Sequence, residues 1–402
     1  MTEPYTIPNN WHWTTLAKIA RWTSGGTPSR KIPEYYKGDI PWVKTGELKD
    51  TYLCHTEEKI SQEAILNSSA KILPVNTVIL AMYGATIGRT AILGIEAATN
   101  QACACAIPSE ELNYKFLFYF LRSQKDNFIL KSQGGAQPNI SQTIIKRFLI
   151  PLPPLDEQQR IVEKIEILFA KLDKATALTQ NVIDNYELRR SAILHKAFNG
   201  ELIKFNFQRM TINSICKSLI YGTSKKSSKF GKIAVIRMGN LQNGEIDWSN
   251  LAYSDDNDEI EKYNLSAGDV LFNRTNSTEL VGKTSIYRGE YPAIYAGYLI
   301  KLDYDHNILI GDYFNYMLNA PEAKNYCQRV KTDGVNQSNI NAKKIGAFEI
   351  PIPNIKEQKE IVRILDSLLA KEQQTKELAE QVLQKIDLMK KTILAQAFRG
   401  KL

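Results

Sequence analysis

An α+β fold built by tandem duplication is predicted for this 402-residue chain. Two mixed α/β domains are separated by two long antiparallel coiled-coil helices, with pseudo-twofold symmetry. Three observations predict it. The phrase IPLPPLDEQQRIV, from Ile150, returns as IPIPNIKEQKEIV from Ile350. Both copies run on into heptad-spaced stretches. The segments between them also repeat, weakly but in order. An internal repeat on this scale governs the whole architecture.

The helices carry the strongest repeat. Laid over each other without a gap, residues 150–202 and 350–402 are identical at 19 of 53 positions. Apolar residues recur at alternating spacings of four and three, the signature of a coiled-coil seam. In the first copy the pairing candidates are Ile161, Ile165, Leu168, Leu172 and Val182; in the second they are Ile361, Leu365, Leu368, Val382 and Ile386. Pro151, Pro153 and Pro154, and Pro351 and Pro353, block an earlier helix start, while Gly200 and Gly400 stand where helices end. Each copy is expected to be one helix of about 40 residues, roughly 60 Å long. The seam has defects: Thr179 and Arg189 in one copy, Glu372 and Thr375 in the other. Periodicity alone also fits a generic coiled coil with a separate partner. Two copies in one chain favour pairing within it, and the chain direction then makes the pair antiparallel, with a domain at each end.

The intervening segments supply the domains, 1–150 and 203–350, with helical segments 151–202 and 351–402. WVKTGEL (Trp42–Leu48) aligns with VIRMGNL (Val235–Leu241), and LPVNTVILAMYG from Leu73 aligns with LSAGDVLFNRTN from Leu265. GRTAI and GKTSI follow, then GGAQPNI from Gly134 and GVNQSNI from Gly334. Strand-like runs (Thr77–Ala81, Asp269–Phe272, Ala293–Lys301) alternate with turn residues. The helix-like stretch Tyr114–Leu130 has Gly311–Val330 as its counterpart.

Composition excludes several classes. The chain is 43% hydrophobic and 23% charged. Its longest apolar run falls far short of a membrane span, and MTEPYTIPNN lacks a signal-peptide core. Five scattered cysteines without a Cys-x-x-Cys fit a reducing cytoplasm. The net charge of +8 divides as +4, −1, +2 and +3 over the four segments, a mild excess compatible with an acidic partner such as DNA.

Catalytic chemistry is absent from the pattern. STELVGKT (Ser277–Thr284) ends like a phosphate loop but lacks its first glycine and is followed by a strand-like run, not a helix. No Asn-Pro-Pro-Tyr or Asp-Pro-Pro-Phe is present for amino methylation, and the four histidines are dispersed, so no metal site is expected. The functional candidates are loops. Ser24, Gly25, Gly26, Thr27, Ser29 and Arg30, and Tyr221, Thr223, Ser224, Lys225 and Lys226, combine amides, hydroxyls and cations suited to phosphate. Lys44 and Arg237 fall at equivalent places, with Asn240 close by. MYGAT (Met82–Thr86), with Tyr83 and Thr86, faces NRTNST (Asn273–Thr278), with Arg274 and Asn276. Gln137, Asn139, Asn336, Gln337 and Asn339 carry amides able to pair with adenine, and Arg237 or Arg274 could read guanine. Each could equally be an ordinary turn residue; recurrence in both halves favours DNA contact for the set.

GGTPSR, IPWVKTGEL, SAKILPVNTVILAMYGATIGRTAIL, TNQA and IPLPPLDEQQRIVEKIEILFAKLD resemble the specificity subunit of type I restriction-modification enzymes, over nearly the full length. The resemblance implies a cytoplasmic, non-catalytic phage-defence protein with two target recognition domains reading a bipartite double-stranded DNA site. It implies two methyltransferase subunits that methylate adenine N6 with S-adenosylmethionine, two restriction subunits that use ATP and Mg, and no cofactor on this chain. Because the two domains differ strongly, an asymmetric target is expected. The rivals are a coiled-coil scaffold without base readout and a chain that is itself a nuclease or methyltransferase.

Overall fold

The computed structural model describes residues 3–134, 138–335 and 337–402. Contacts divide the chain into two units: Met1–Gln180 with Gln381–Leu402, and Asn181–Glu380. Each unit therefore takes one globular segment and a part of both long helical segments.

In the first unit the central sheet runs in the order Ala20–Ser24, Cys103–Pro108, Val78–Ala81, Thr90–Leu93, Thr51–Leu53. Val78–Ala81 is buried along its whole length, as expected of a strand covered on both faces. Its side chains alternate. Val78 and Leu80 join the cluster under the Tyr114–Ser123 helix, while Ile79 and Ala81 join Cys103 and Cys105 on the opposite face. Burial pushes the Cys105 thiol up to about 12, so these cysteines are inert core. A side sheet pairs Ile40–Val43 with Glu58–Ile60 and Ala98–Thr99.

The second unit repeats this plan. Its sheet runs Cys216–Tyr221, Leu299–Tyr304, Val270–Asn273, Thr284–Ile286, and its side sheet sets Ile233–Ile236 between Ala252–Ser254 and Ala293–Tyr295. The run expected over Ala293–Lys301 is two strands, belonging to different sheets. In both units the Pro-rich phrase is a short strand: Leu149–Leu152 pairs with His12–Thr15, and Glu349–Ile352 with Gln208–Thr211. Two-stranded ladders tolerate Pro151 and Pro351, which central strands would not.

The long helical segments differ. The second is unbroken from Ile355 to Ala397. The first is two helices, Leu155–Asp184 and Tyr186–Phe198, interrupted at Asn185, so the single helix expected there is corrected. Competing donors account for the notch: Asn185 Nδ2 bonds the Asn181 carbonyl at 2.8 Å, and Arg189 Nη2 takes the Val182 carbonyl at 3.0 Å. Gly200 and Gly400 have positive φ (75° and 67°) just past the helix ends, where glycine costs least.

Within each unit the helical parts pair antiparallel. In the first, Lys390 meets Asp173 at 2.5 Å and Arg160 donates to the Leu402 carbonyl. Phe398 packs edge-on against Phe116 and Phe120. In the second, Arg189 pairs with Glu372 at 2.7 Å and Tyr186 donates to Gln373 at 2.9 Å, while Phe198 packs on Tyr313. Arg189 and Glu372, defects in their separate seams, are therefore each other's partner. Ile161, Ile165, Ile361, Leu365 and Ile386 are buried, and Leu172 and Val182 are half-buried. Leu168 and Leu368 are only half-buried; Phe169 and Leu369 beside them take the core. Val382 is a correction: it stands 41% exposed, with Ala379 and Ile386 buried and Leu383 half-buried. A straight helix of 3.6 residues per turn drifts from a strict heptad, and the buried stripe moves over by one residue.

One polar residue in each long segment is fully buried. Gln158 Nε2 donates to the Glu111 and Pro153 carbonyls at 2.9 and 3.0 Å, and its Oε1 accepts from the Asn113 amide at 2.8 Å. Gln358 Nε2 donates to the Ile308 and Pro353 carbonyls, both at 2.8 Å, and its Oε1 accepts from the Ile310 amide at 2.9 Å. Asn113 and Ile310 cap the Tyr114–Ser123 and Gly311–Asn319 helices, so the long segment is tied to the globular one at the same place in both units.

Candidate nucleic-acid interface

The repeated loops meet at one edge of each unit, and backbone bonds bring them there. In the first unit Ile140 N donates to Met82 O at 2.9 Å and Gly84 N to Pro138 O at 2.8 Å; Gln133 and Asn139 exchange bonds of 2.8 Å. In the second, Ile340 N donates to Arg274 O at 2.8 Å, and Thr275–Asn276 pairs with Ser338–Asn339, which also pairs with Thr332–Asp333. Segments about 60 residues apart in sequence are thereby joined in the same way twice. Gln137 and Asn336 lie outside the described residues.

The side chains at the two edges differ. The first presents Tyr83, 45% exposed, Thr86, whose hydroxyl donates to Tyr83 O, and exposed Asn139. Ser24 joins it by accepting from Gln142. The second presents a built cation: the Arg274 guanidinium lies 4.7 Å from the Tyr221 ring centroid and donates to Gly297 O at 3.2 Å. Tyr221 in turn accepts from the Ala342 amide. Asn339 donates to Thr275 Oγ1 at 2.7 Å, Asn276 accepts from the Ser277 amide, and exposed Gln337 accepts through its carbonyl from Gly334. A guanidinium stacked on a ring is pre-ordered, which lowers the entropy lost on reading a base edge.

Most of the cations proposed for phosphate already have partners within the chain. Arg30 pairs with Glu58 at 2.7 Å and lies 3.9 Å from the Tyr36 ring centroid, and Lys44 reaches Glu58 and Glu57 at 2.9 and 3.1 Å. The Lys44 ammonium, with Arg30 assisting, holds the Glu58 carboxyl below its ordinary value. Lys225 pairs with Asp256 at 2.5 Å, which raises the lysine pKa. Arg237 donates to Asn250 O. Lys226 and Ser224 are exposed, and Ser29 accepts from the Lys31 amide.

Four candidates are structural and are corrected. Asn240 is buried, its amide donating to the Asp247 and Asn250 carbonyls and its oxygen accepting from the Arg237 amide. Thr223 is buried, and its hydroxyl accepts from the Lys225 amide. Gly25 and Gly26 are buried where a Cβ would fall 2.1 Å from Thr99 O and 2.2 Å from Ala70 N; only glycine fits. Thr27 remains exposed and bonds Gln101. Sequence reasoning did not single out Tyr298 and Phe230, aromatics exposed at 49% and 84%. The Tyr298 carbonyl accepts from the Arg274 amide. An exposed aromatic has no periodic signal; Tyr298 sits inside a run that reads as strand.

Among the described residues no His, Cys, Asp or Glu group could hold a metal. A cavity of about 550 Å³ in the second unit is lined by Arg190, Lys283 and Lys324, among others. Lys324 bonds Gly282 O and Asn319 Oδ1, and burial, with two neighbouring cations adding to it, lowers it to about 8.

Two related units, each presenting a loop edge held by the same backbone junction, define a protein built from two copies of one domain. The type I restriction modification DNA specificity domain matches residues 8–184 and again 206–384. The chain belongs to the type I restriction-modification DNA specificity family. It is 25% identical to the Type I restriction enzyme EcoKI specificity subunit of Escherichia coli K12, over 98% of this chain and 90% of that protein. It is 31% identical to the EcoR124I/EcoR124II specificity subunit of Escherichia coli over 44% of this chain and 45% of that one. A chain from a solved type I R-M assembly shares the fold with a TM-score of 0.77 at 21% identity, covering 99% of this chain and 100% of that chain. The HsdS subunit from Thermoanaerobacter tengcongensis has a TM-score of 0.63 at 20% identity, covering 99% of each.

Proposed function

We propose that this chain is the non-catalytic reader of a type I restriction-modification complex, and that its target has two unequal half-sites. One observation carries this reading. The same backbone junction, Ile140 to Met82 and Ile340 to Arg274, holds the loop edge of both units, yet the side chains presented differ. Common backbone with divergent side chains suits two readers of different sequences. Two methyltransferase subunits dock on the paired helices and methylate adenine N6 with S-adenosylmethionine; two restriction subunits add the chemistry that needs ATP and Mg. The complex acts on DNA in the cytoplasm. The absence, among the described residues, of any helix long and apolar enough to cross a membrane is compatible with that.

Single-molecule methylome sequencing tests the proposal in cells that express this chain with its methyltransferase subunit, against cells lacking this chain. The expected result is a new N6-methyladenine motif in two unequal parts with an unspecified gap. Equal binding of the purified complex to all duplexes, with no new motif, favours a scaffold without base readout. Methylation or cleavage by the purified chain alone favours a catalyst.

A further inference from the structure

We infer that Gln158 and Gln358 are positioning residues that set how strictly the spacing between half-sites is enforced; the inference rests on the bipartite reading above. Their burial is the starting point. Both are fully inaccessible, and among the described residues they are the only buried polar side chains on the long helices. A buried amide that lost its partners would be costly, so the site must be satisfied to exist at all. Both are satisfied identically: two donated bonds, one accepted, none longer than 3.0 Å.

The partners give the arrangement its meaning. One is the carbonyl of Pro153 or Pro353, at the start of the long helix. The other two are a carbonyl and an amide at the start of a recognition-domain helix, Glu111 and Asn113 or Ile308 and Ile310. Two short bonds thus fix one helix against another near their N-terminal ends, and the third holds the glutamine amide to the start of its own helix. The surrounding contacts are apolar: Ile161, Val162 and Ile165 share a cluster with Phe116 and Leu117, and Ile361 and Leu365 share one with Tyr313 and Phe314. Apolar contact is non-directional and permits small rotations. Hydrogen bonds weaken steeply off axis and resist them.

The size of rotation that matters is small. A domain of about 150 residues has a radius of gyration of ~15 Å, so its reading loops lie on the order of 20 Å from the joint. A turn of ~10° then moves them ~3.5 Å, close to the ~3.4 Å rise of one base pair. A joint that slips by this amount admits a target one base pair too long or too short, while the bases read within each half-site stay the same.

The test uses the assembled methyltransferase complex. Gln158→Leu keeps the side-chain size and removes all three bonds; Gln358→Leu does the same in the other unit. Duplexes carrying the methylated motif with its native gap, and with one base pair added or removed, are methylated in competition. The expected result is that each variant assembles, reads unchanged half-site bases, and methylates the altered gaps about tenfold more, relative to the native gap, than the parent does, the factor equivalent to one modest hydrogen bond. Native gap selectivity in an assembled variant overturns the inference, and so does an equal loss on every gap. If the leucine variants do not fold, Gln158→Glu, which keeps the accepting oxygen, is read by the same assay. Hydrogen exchange at the Asn113 and Ile310 amides of the parent gives an independent reading, with slow exchange expected; exchange as fast as an open loop overturns the inference. A parent complex that makes no bipartite mark defeats the functional reading and this inference together. A bipartite mark with unaltered gap tolerance in the variants defeats this inference alone.

Discussion

The two units solve one architectural problem in the same way and one chemical problem differently. Their joints match bond for bond at Gln158 and Gln358, and their central sheets share the order of four strands, to which the first adds Thr51–Leu53. Each loop edge carries an asparagine, Asn139 or Asn339, but the rest does not match: the first offers Tyr83, the second an Arg274 stacked on Tyr221. Side chains whose partners are backbone atoms are held in common, because any substitution leaves a buried carbonyl or amide unpaired. Side chains at the more open loop edges carry no such constraint and are free to diverge.

The largest effect is expected in the cores. Phe398→Ala should cost the first unit about 3–5 kcal/mol, and Phe198→Ala should cost the second a similar amount. Trp11, Trp13, Trp22 and Trp42 lie in the first unit and Trp248 in the second, so fluorescence-monitored urea unfolding can separate them. Equal loss in both transitions from either variant would break the division into units. At the loop edges, Arg274→Ala should weaken cognate DNA by roughly 1–3 kcal/mol more than random DNA. Asn139→Ala should do less, since the described bonds of Asn139 are made by its backbone. An Arg274 loss equal on both DNAs would make the guanidinium a phosphate contact.

Lys324 sharpens the contrast through pH. Its folded value, about 8, is below its ordinary 10.5. Below pH 8 both folded and unfolded states hold the proton, and this residue gives no slope. From pH 8 to about 10.5 the unfolded state binds more protons, so stability rises with pH. Melting temperature should therefore climb by a few degrees across that window relative to Lys324→Met; parallel curves for the two proteins would remove the buried-charge account. The smallest effect belongs to Arg189 and Glu372. A double-mutant cycle with alanine should give a coupling of about 1 kcal/mol, declining with added salt; no coupling would make the contact incidental.

Helix position, caps and duplication were legible in the sequence because prolines, glycines and periodicity are local signals. What failed was whatever depends on a partner. Arg189 and Glu372 read as flaws because each seam was viewed alone. Val382 read as core because a strict heptad was extended farther than a straight helix follows it. The notch at Asn185 comes from side-chain donors whose targets no spacing reveals. In the loops, composition picked out segments, and burial then divided them: Gly25, Gly26, Thr223 and Asn240 serve the backbone, while Tyr83 and Gln337 are exposed and Arg274 is half-buried.

The way the units partition the chain governs how it is made. Asn181–Glu380 is continuous, so that unit can close as soon as it leaves the ribosome. The first unit cannot, because Phe116 and Phe120 pack against Phe398, which is synthesised nearly 280 residues later. Throughout that interval the nascent first unit carries an open aromatic face, and a chain stalled before residue 381 keeps it for good. Such a product exposes apolar surface of the kind that aggregates.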